Sequence, residues 1–459
     1  MKKNSILNAI KGQNVVILGF GREGVSTYKF IRRYFPEQPI TISDKSEVLN
    51  TEEFKSDRHL TVITGEKYDQ GLDQYDLIFK TPGVNLNHLN YFIPPYKITS
   101  QTDLFIRAFR DQIIGVTGTK GKSTTSSLIY HILYNSHYPT ILAGNIGIPF
   151  FDIIEQITLK TIVVAELSAH QLEFLQQSPT KAIFLNVYQE HLDHFNSFNS
   201  YQLAKFNITK FQTENDILIY NQDDDHIPLL LQSHALKRLF YQFSIKKPVA
   251  TGAYYHDGQI ILSENGEVKS EFEISEFSHL PGIHNHYNIM AAILACKTMN
   301  ISDDMLIEHL KTFKGLEHRI EYVGNFAGIQ FYNDSISTIP EATIAALKAL
   351  KKVDVLILGG FDRGIEYTQL IQYLVENPVQ HIAFTGPAGN RILTEWKASF
   401  SAPSHYIHTN NYSEIVDFAF EYGKKGKICL LSPAASSYNQ FKNFEERGTY
   451  FKELVKNKK

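Results

Sequence analysis

The chain has 459 residues, 43% of them hydrophobic and 20% charged, with 45 basic against 48 acidic side chains and a net charge of -3. That balance excludes a disordered or fibrous chain and offers no basic field for nucleic acid, so small-molecule partners are expected. Cys296 and Cys429, the two cysteines, lie far apart in apolar runs, which supports neither a disulfide framework nor a thiolate metal site and suits a reducing cytoplasm.

At the N-terminus, MKKNSILNAIKG has an apolar stretch too short for a signal peptide. No segment reaches the roughly 18 apolar residues of a membrane span, and nothing in the sequence argues against a monomer. At roughly 150 residues per domain the length predicts about three domains. Short β-branched runs alternate with helical periodicity along most of the chain, the pattern of βαβ units and mostly parallel sheets. A first series contains NVVILGF, PITISD, LTVITG and DLIFKTPGV; a second contains QIIGVTG, TIVVAELS and AIFLNVY; a third contains GIQFYNDS, DVLILGG, HIAFTGP and KICLLSP. Between the second and third, AYYHDGQIILSENGEV predicts a hairpin around Asp257-Gly258, and LPGIHNHYNIMAAILACKTM predicts a loop entering a helix. The restarts place boundaries near 108 and 314, giving domains at 1–107, 108–314 and 315–459.

Two glycine loops follow apolar strands. In ILGFGREG, Gly19, Gly21 and Gly24 lie between a strand and a helix, and Asp44 follows twenty residues after the last glycine, the spacing of a dinucleotide fingerprint. Backbone N–H groups at such a loop can donate to a phosphate of any nucleotide, so NAD, NADP and a plain tight turn all remain compatible. The second loop, GVTGTKGKSTT, is more specific. Val116 stands where the first glycine of a P-loop is expected, but Gly118, Thr119, Lys120, Gly121, Lys122, Ser123 and Thr124 keep the end that handles phosphates and Mg²⁺.

Downstream, the strand TIVVAELSAHQLE delivers Glu166 to the sheet edge beside this loop, where a buried carboxylate needs a partner and Mg²⁺ is a natural one. The next strand brings Glu190, His191, Asp193 and His194. Zinc is a poor fit, because neither a cysteine nor a third well-placed histidine completes a tetrahedron. Lys205, on a predicted helix, is by itself an ordinary solvated lysine.

In this order, GVTGTKGKSTT, GNIG, AELSAHQLE, LNVYQEHLDHF, YQLAKF, GIHNHYN, GLEHRIEYV, NDS, LGGFDRG and LLSPAASSYNQFKNFEERG resemble the Mur ligases, ATP-dependent amide ligases of peptidoglycan precursor synthesis, from about residue 13 to the C-terminus. The final block and GFGREG are similar to the member that adds glutamate to UDP-N-acetylmuramoyl-L-alanine. The resemblance implies three α/β domains: a Rossmann-like N-terminal domain that holds UDP instead of NAD, a central P-loop ATPase domain, and a Rossmann-like C-terminal domain. It places Gly21, Arg22 and Glu23 against the diphosphate, Asp44 near the uracil, Thr81, Pro82 and Gly83 near the sugar nucleotide, and Asn145 against the muramoyl substrate. Glu166 and His191 match magnesium ligands, alongside Ser123, and Lys205 matches a lysine carbamylated by CO₂ whose carbamate can ligate or orient a second metal. Asn285, Asn288, Arg319 and Asp334 are expected to line the ATP site, and Thr338, Arg363, Ser437 and Phe444 to hold the incoming glutamate.

Two departures stand out. NDSISTIPEA has Ile336 where the usual NDSKATN has lysine, and SAHQLE has Ala169-His170 where Ser-Phe is common. NDSIST is similar to a branch of the family that uses L-glutamate, whereas family prevalence favours the D-isomer. Other readings make different demands. A folate polyglutamate ligase leaves the GFGREG domain unexplained, and an oxidoreductase leaves GVTGTKGKSTT, Glu166 and His191 without a role. A noncatalytic relative binds ATP and releases no phosphate.

Overall fold

The computed structural model describes residues 2–47, 54, 56–89, 91–234, 238–274, 280 and 282–458. Three sheets organise them into two compact units, one formed by Met1–Phe277 with Ile283–Thr312, the other by Ser278–Gly282 with Phe313–Lys459.

The first unit holds two sheets. In the smaller, five strands run in the spatial order Leu60–Thr64, Ile40–Asp44, Val15–Leu18, Leu77–Lys80 and Ile98–Thr99, all parallel. Val15–Leu18 is buried at every position, as a central parallel strand covered on both faces requires. Its chain then turns at Gly19, whose φ is 89°, where a Cβ would meet Thr81 Oγ1 at 2.1 Å. Helix Arg22–Tyr34 follows, with Glu23 in the first turn and Arg32 and Arg33 in the last, the charge order that the helix dipole favours.

The larger sheet has nine strands, from Glu267–Glu273 at one edge through Gln259–Glu264, Gly252–His256, Leu239–Ser244, Ile217–Asn221, Lys181–Phe184, Ile113–Thr117 and Ile162–Glu166 to Thr140–Gly144. Strand Ile113–Thr117 has later strands on both sides, Lys181–Phe184 on one and Ile162–Glu166 on the other. Such a switch point opens a crevice at the carboxyl ends of the strands, and the second glycine loop starts there. Strands Gly252–His256 and Gln259–Glu264 form the expected hairpin. Asp257 and Gly258 have φ of 45° and 89°, the doubly positive pair that a two-residue turn of this twist needs. Asn265-Gly266, with φ of 52° and 84°, makes a second such turn to Glu267–Glu273, which the sequence reading passes over.

The second unit contains a six-stranded sheet in the order Glu321–Phe326, Ile329–Asn333, Ile428–Leu431, Val353–Gly359, His381–Thr385 and Tyr406–His408, parallel except for its first pair. Helices cover both faces: Leu356, Leu358 and Leu430 enter one apolar cluster, and Val355, Ile357 and Leu431 the other. The architecture is therefore α/β with mostly parallel sheets. Among the described residues, no helix is long and apolar enough to cross a membrane. Cys296 and Cys429 are buried and unpaired.

Candidate active site

The phosphate loop grows out of a fully buried strand. After Thr117, Gly118 packs with no room for a side chain, since a Cβ would lie 2.9 Å from Leu185 Cβ. Gly121 caps helix Lys122–Asn135 at φ 86°, and a Cβ there would meet Asn288 Oδ1 at 2.4 Å. That asparagine also accepts a hydrogen bond from Thr125 Oγ1 at 3.2 Å and donates to Asn285 Oδ1 at 2.9 Å. Helix Ile283–Lys297 thus brings Asn288 onto the loop, with Asn285 hydrogen-bonded to it.

Cations converge on the same loop. Lys122 Nζ folds back onto the carbonyl oxygens of Gly118 and Thr119 at 2.9 and 3.0 Å. Lys205 comes from helix Phe198–Lys210, is 1% exposed, and donates to the same Gly118 oxygen at 2.8 Å. Burial, and then the charge of Lys122, push its amine well below the ordinary lysine range, against the opposing pull of Glu190 and Glu166. Lys120 is outermost and pairs with Glu190 at 2.5 Å. Ser123 and Thr124 open the helix beside Lys122, with Thr124 buried.

Glu166 ends its strand 1% exposed. One carboxylate oxygen accepts from Asn145 Nδ2 at 2.7 Å, and the other, Oε2, is buried without a hydrogen-bond partner. An ionised oxygen in that state is costly, and a divalent cation satisfies it. His191 is half-exposed and has φ of 56° at the start of the turn Leu192–Phe195; its nearest ring neighbour is His170, with centroids 4.9 Å apart. Burial followed by the neighbouring imidazoles lowers His170 to about 3, so its ring is neutral at physiological pH. Among the described residues, no three His, Cys, Asp or Glu side chains converge as a metal cluster. The donors present are instead mixed: the Glu166 carboxylate, the His191 imidazole, the hydroxyl of Ser123 and the buried amine of Lys205.

The first glycine loop faces this site from the smaller sheet. Phe20 N–H donates to Asp44 Oδ2 at 2.6 Å and Ser46 N–H to Oδ1 at 2.7 Å, so the acid that suggested a ribose contact also closes the loop. Thr81 Oγ1 donates to the Leu18 carbonyl at 3.0 Å, which seats the Thr81-Pro82-Gly83 segment beside Gly19. Arg22 reaches the carbonyl oxygens of Gly144 and Asn145 at 3.3 and 3.0 Å. Glu23 turns inward, where its carboxylate accepts from Gln171 Nε2 at 2.7 Å and burial raises its proton affinity. Gly21 is exposed at the mouth of the loop.

Within the second unit, Asp334 follows strand Ile329–Asn333 and is 1% exposed. It accepts from Ser432 Oγ at 2.7 Å and from Ile320 N–H, next to Arg319, at 3.1 Å, and burial pushes it up to about 6. Arg363 donates to the Thr338 carbonyl at 3.0 Å, so two residues expected to hold glutamate meet. Ser437 is buried, and the Phe444 carbonyl accepts from Ser335 Oγ at 2.8 Å. Ile336 N–H donates to the His318 carbonyl at 3.1 Å.

Three residues of the site were not singled out from the sequence. Asn186 brackets the phosphate loop, accepting from Lys120 N–H at 2.8 Å and donating to the Lys120 carbonyl at 3.0 Å. Tyr201 meets Thr119 Oγ1 at 3.1 Å, and burial pushes its phenol up to about 12. Arg447 is fully buried and fastens Ser335 to the Ala435-Ser436 segment. An asparagine just past an apolar strand was the signal for the first; the other two carry no pattern that separates them from core or surface.

A phosphate loop at a parallel-sheet switch point, ringed by lysines and a buried carboxylate with one oxygen unsatisfied, defines a nucleotide-dependent phosphoryl-transfer enzyme. The Mur ligase middle domain matches residues 116–296, and the Mur ligase, glutamate ligase domain matches residues 318–435. The chain is 34% identical to UDP-N-acetylmuramoylalanine--D-glutamate ligase of Acetivibrio thermocellus over 470 aligned positions, covering 99% of this chain and 98% of that protein. It is also 34% identical to the protein of the same name from Clostridium novyi, over 100% of both chains. Among solved structures it resembles a MurF ligase from Thermotoga maritima in complex with ADP, with a TM-score of 0.56, 18% identity and coverage of 97% and 95%. It likewise resembles UDP-N-acetylmuramate-alanine ligase MurC from Thermotoga maritima, with a TM-score of 0.58, 18% identity and coverage of 97% and 100%. The chain belongs to the Mur ligase family, and so to a family of ATP-dependent ligases.

Proposed function

We propose that the protein joins D-glutamate to UDP-N-acetylmuramoyl-L-alanine with hydrolysis of ATP to ADP and phosphate, in the cytoplasmic synthesis of peptidoglycan precursors. The isomer and the acceptor rest on the names of full-length relatives. The observation carrying the chemistry is Glu166 Oε2, buried without a partner on the sheet edge that also holds Lys122 and Lys205. We assign 1–107 to the UDP substrate, 108–314 to ATP and 315–459 to glutamate.

A carboxylate is a poor acyl donor to an amine. The alanyl carboxylate oxygen therefore takes the γ-phosphoryl group of ATP, breaking the bond to ADP and giving an acyl phosphate. Lys122 neutralises charge on the transferring group, and the loop N–H groups hold the phosphates. The amine nitrogen of glutamate then attacks the carbonyl carbon, a proton leaves the nitrogen, phosphate departs and an amide remains. Mg²⁺, when bound, supplies further charge neutralisation at the phosphoryl oxygens. Ser123, Glu166 and His191 would hold it, and Lys205 as a carbamate would hold or orient a second ion; burial shifts the Lys205 amine toward its uncharged form, the form that adds CO₂. By family position Gly118–Thr124, Asn285, Asn288, Arg319 and Asp334 serve ATP. Gly21, Arg22, Glu23, Asp44, Thr81–Gly83 and Asn145 serve the UDP substrate, and Thr338, Arg363, Ser437 and Phe444 serve glutamate. An arginine at 363 can grip a carboxylate with two parallel hydrogen bonds.

One observation favours a second reading, the same ligation with L-glutamate: Ile336 replaces the usual lysine directly after Asp334-Ser335. The test incubates purified protein with ATP, Mg²⁺, UDP-N-acetylmuramoyl-L-alanine and either isomer, following phosphate and product. Turnover with D-glutamate is expected, turnover with the L-isomer alone transfers the assignment to the second reading, and turnover with neither refutes both.

A further inference from the structure

Two of the residues assigned to the metal, Glu166 and His191, are each fastened through one intervening residue to a loop assigned to the UDP substrate. On one side, Arg22 of the first glycine loop donates to the carbonyl oxygens of Gly144, Asn145 and Gly147 at 3.3, 3.0 and 3.4 Å. Asn145 in turn donates its side-chain amide to Glu166 Oε1 at 2.7 Å and its backbone N–H to the Glu166 carbonyl at 2.9 Å. On the other side, the segment that continues from Thr81-Pro82-Gly83 supplies Asn85 and Asn87, whose amides both donate to the His194 carbonyl, at 3.1 and 2.7 Å. His194 N–H closes the turn onto the His191 carbonyl at 3.1 Å. Lys80, immediately before Thr81, anchors the same turn: it pairs with Glu173 Oε2 at 3.0 Å, and His194 Nε2 meets that oxygen at 3.0 Å.

His191 needs such support. Its side chain is half-exposed, its backbone has φ of 56°, and its nearest carboxylate oxygen, on Glu190, lies 3.9 Å from Nε2. The rings of His170 and Tyr201 lie 4.9 and 6.1 Å from it between centroids, but the turn sets the backbone position from which the imidazole projects, and Asn85 and Asn87 hold that turn together with Glu173. A ligand that orders 81–87 therefore orders His191, and a ligand that draws Arg22 bears on Asn145 and Glu166.

We propose that binding of the UDP substrate and binding of a divalent cation are thermodynamically coupled through these two bridges, with Asn85 and Asn87 acting as positioning residues for His191. The inference rests on the proposed roles of Glu166, His191 and the two loops. By linkage the coupling is reciprocal: substrate tightens the cation by the same factor by which the cation tightens substrate.

The experiment measures Mn²⁺ binding to the full chain by electron paramagnetic resonance, without ATP, in the absence and presence of UDP-N-acetylmuramoyl-L-alanine. Glu166→Gln reports Mn²⁺ held by the substrate's own diphosphate, which is subtracted. In the unmodified protein the substrate is expected to tighten Mn²⁺ at least about 5-fold, the lower end of ordinary coupling. In the Asn85→Ala, Asn87→Ala double variant, and in the milder Asn87→Asp, the ratio is expected to fall below about 2-fold. The ratio is the readout, so a change in either affinity alone does not enter it. Mn²⁺ binding with no coupling in the unmodified protein, or undiminished coupling in both variants, overturns the inference and leaves the site assignment standing. Absence of Glu166-dependent Mn²⁺ binding overturns the assignment and the inference together.

Discussion

Lys205 Nζ donates a hydrogen bond to the Gly118 carbonyl oxygen at 2.8 Å, so a fully buried amine from one helix rests on the first residue of the phosphate loop. Lys122 Nζ shares that oxygen at 2.9 Å. Two cationic groups so close, one of them without water, favour the neutral form of Lys205. A neutral amine can add to CO₂, and the resulting carbamate converts a repelling pair into an attracting one. With ¹³C-bicarbonate, the protein is expected to show a carbamate resonance that Lys205→Arg lacks. Lys205→Ala is expected to lose at least about 100-fold in kcat, and excess bicarbonate is expected not to restore it. Full activity in either variant removes the carbamate from the mechanism.

Gly121→Ala tests the loop itself. The position has φ of 86°, and a Cβ would lie 2.4 Å from Asn288 Oδ1, an atom already held by Thr125. Strain of about 1–3 kcal/mol is expected, read as a lowered urea midpoint. ATP binding, followed by calorimetry, is expected to weaken as well, because the loop N–H groups no longer point at one centre.

Asp334 gives a pH dependence of definite sign. Burial raises its carboxyl from 3.8 to about 6, so between those values the folded protein binds more protons than the unfolded chain. Its contribution to stability is full below about 4 and is lost as pH rises through about 6, amounting to about 3 kcal/mol. Asp334→Asn lacks this titration. Calorimetric unfolding at pH 5 and pH 8 is expected to show the unmodified protein losing stability relative to the variant on going to pH 8; a constant difference across that range contradicts the assignment.

Arg447 is fully buried, and among the described residues it pairs with no carboxylate. Its guanidinium donates to Ser335 Oγ and the Ser335 carbonyl at 2.9 and 2.8 Å, and to the carbonyls of Ala435 and Ser436 at 3.0 and 3.2 Å. Arg447→Met leaves those carbonyls unpaired in the interior, which is expected to cost about 3–5 kcal/mol by denaturant unfolding. Arg447→Lys keeps the charge but not the fork and is expected to raise the KM for glutamate, since Thr338 and Ser437 flank the two fastened segments.

Much of the fold is legible in the residues alone. Runs such as VVIL and IVVAE are buried at every position because parallel strands are covered on both faces, and the period of apolar residues reports that directly. The hairpin at Asp257-Gly258 is legible because only a few residues tolerate positive φ. Short half-polar strands are not: Tyr406–His408 at the edge of its sheet and Leu239–Ser244 inside the nine-stranded one carry mixed burial, and their runs look like loops.

For the site, the sequence by itself determined which chemistry was available. A lysine and hydroxyls at the start of a helix after a glycine loop suit phosphate, and the order of ten short motifs identified the family, because local backbone demands and ligand chemistry are written in neighbouring residues. Only the tertiary structure decided the environment of each group. Lys205 reads as a solvated lysine until its helix packs it against Gly118, and nothing local marks Arg447 as buried until Ser335 and Ala435 close over it. Asn85 and Asn87 acquire a partner in His194 more than a hundred residues away. Burial and proton affinity belong to the surroundings of a side chain, and those surroundings come from parts of the chain that no local pattern brings together.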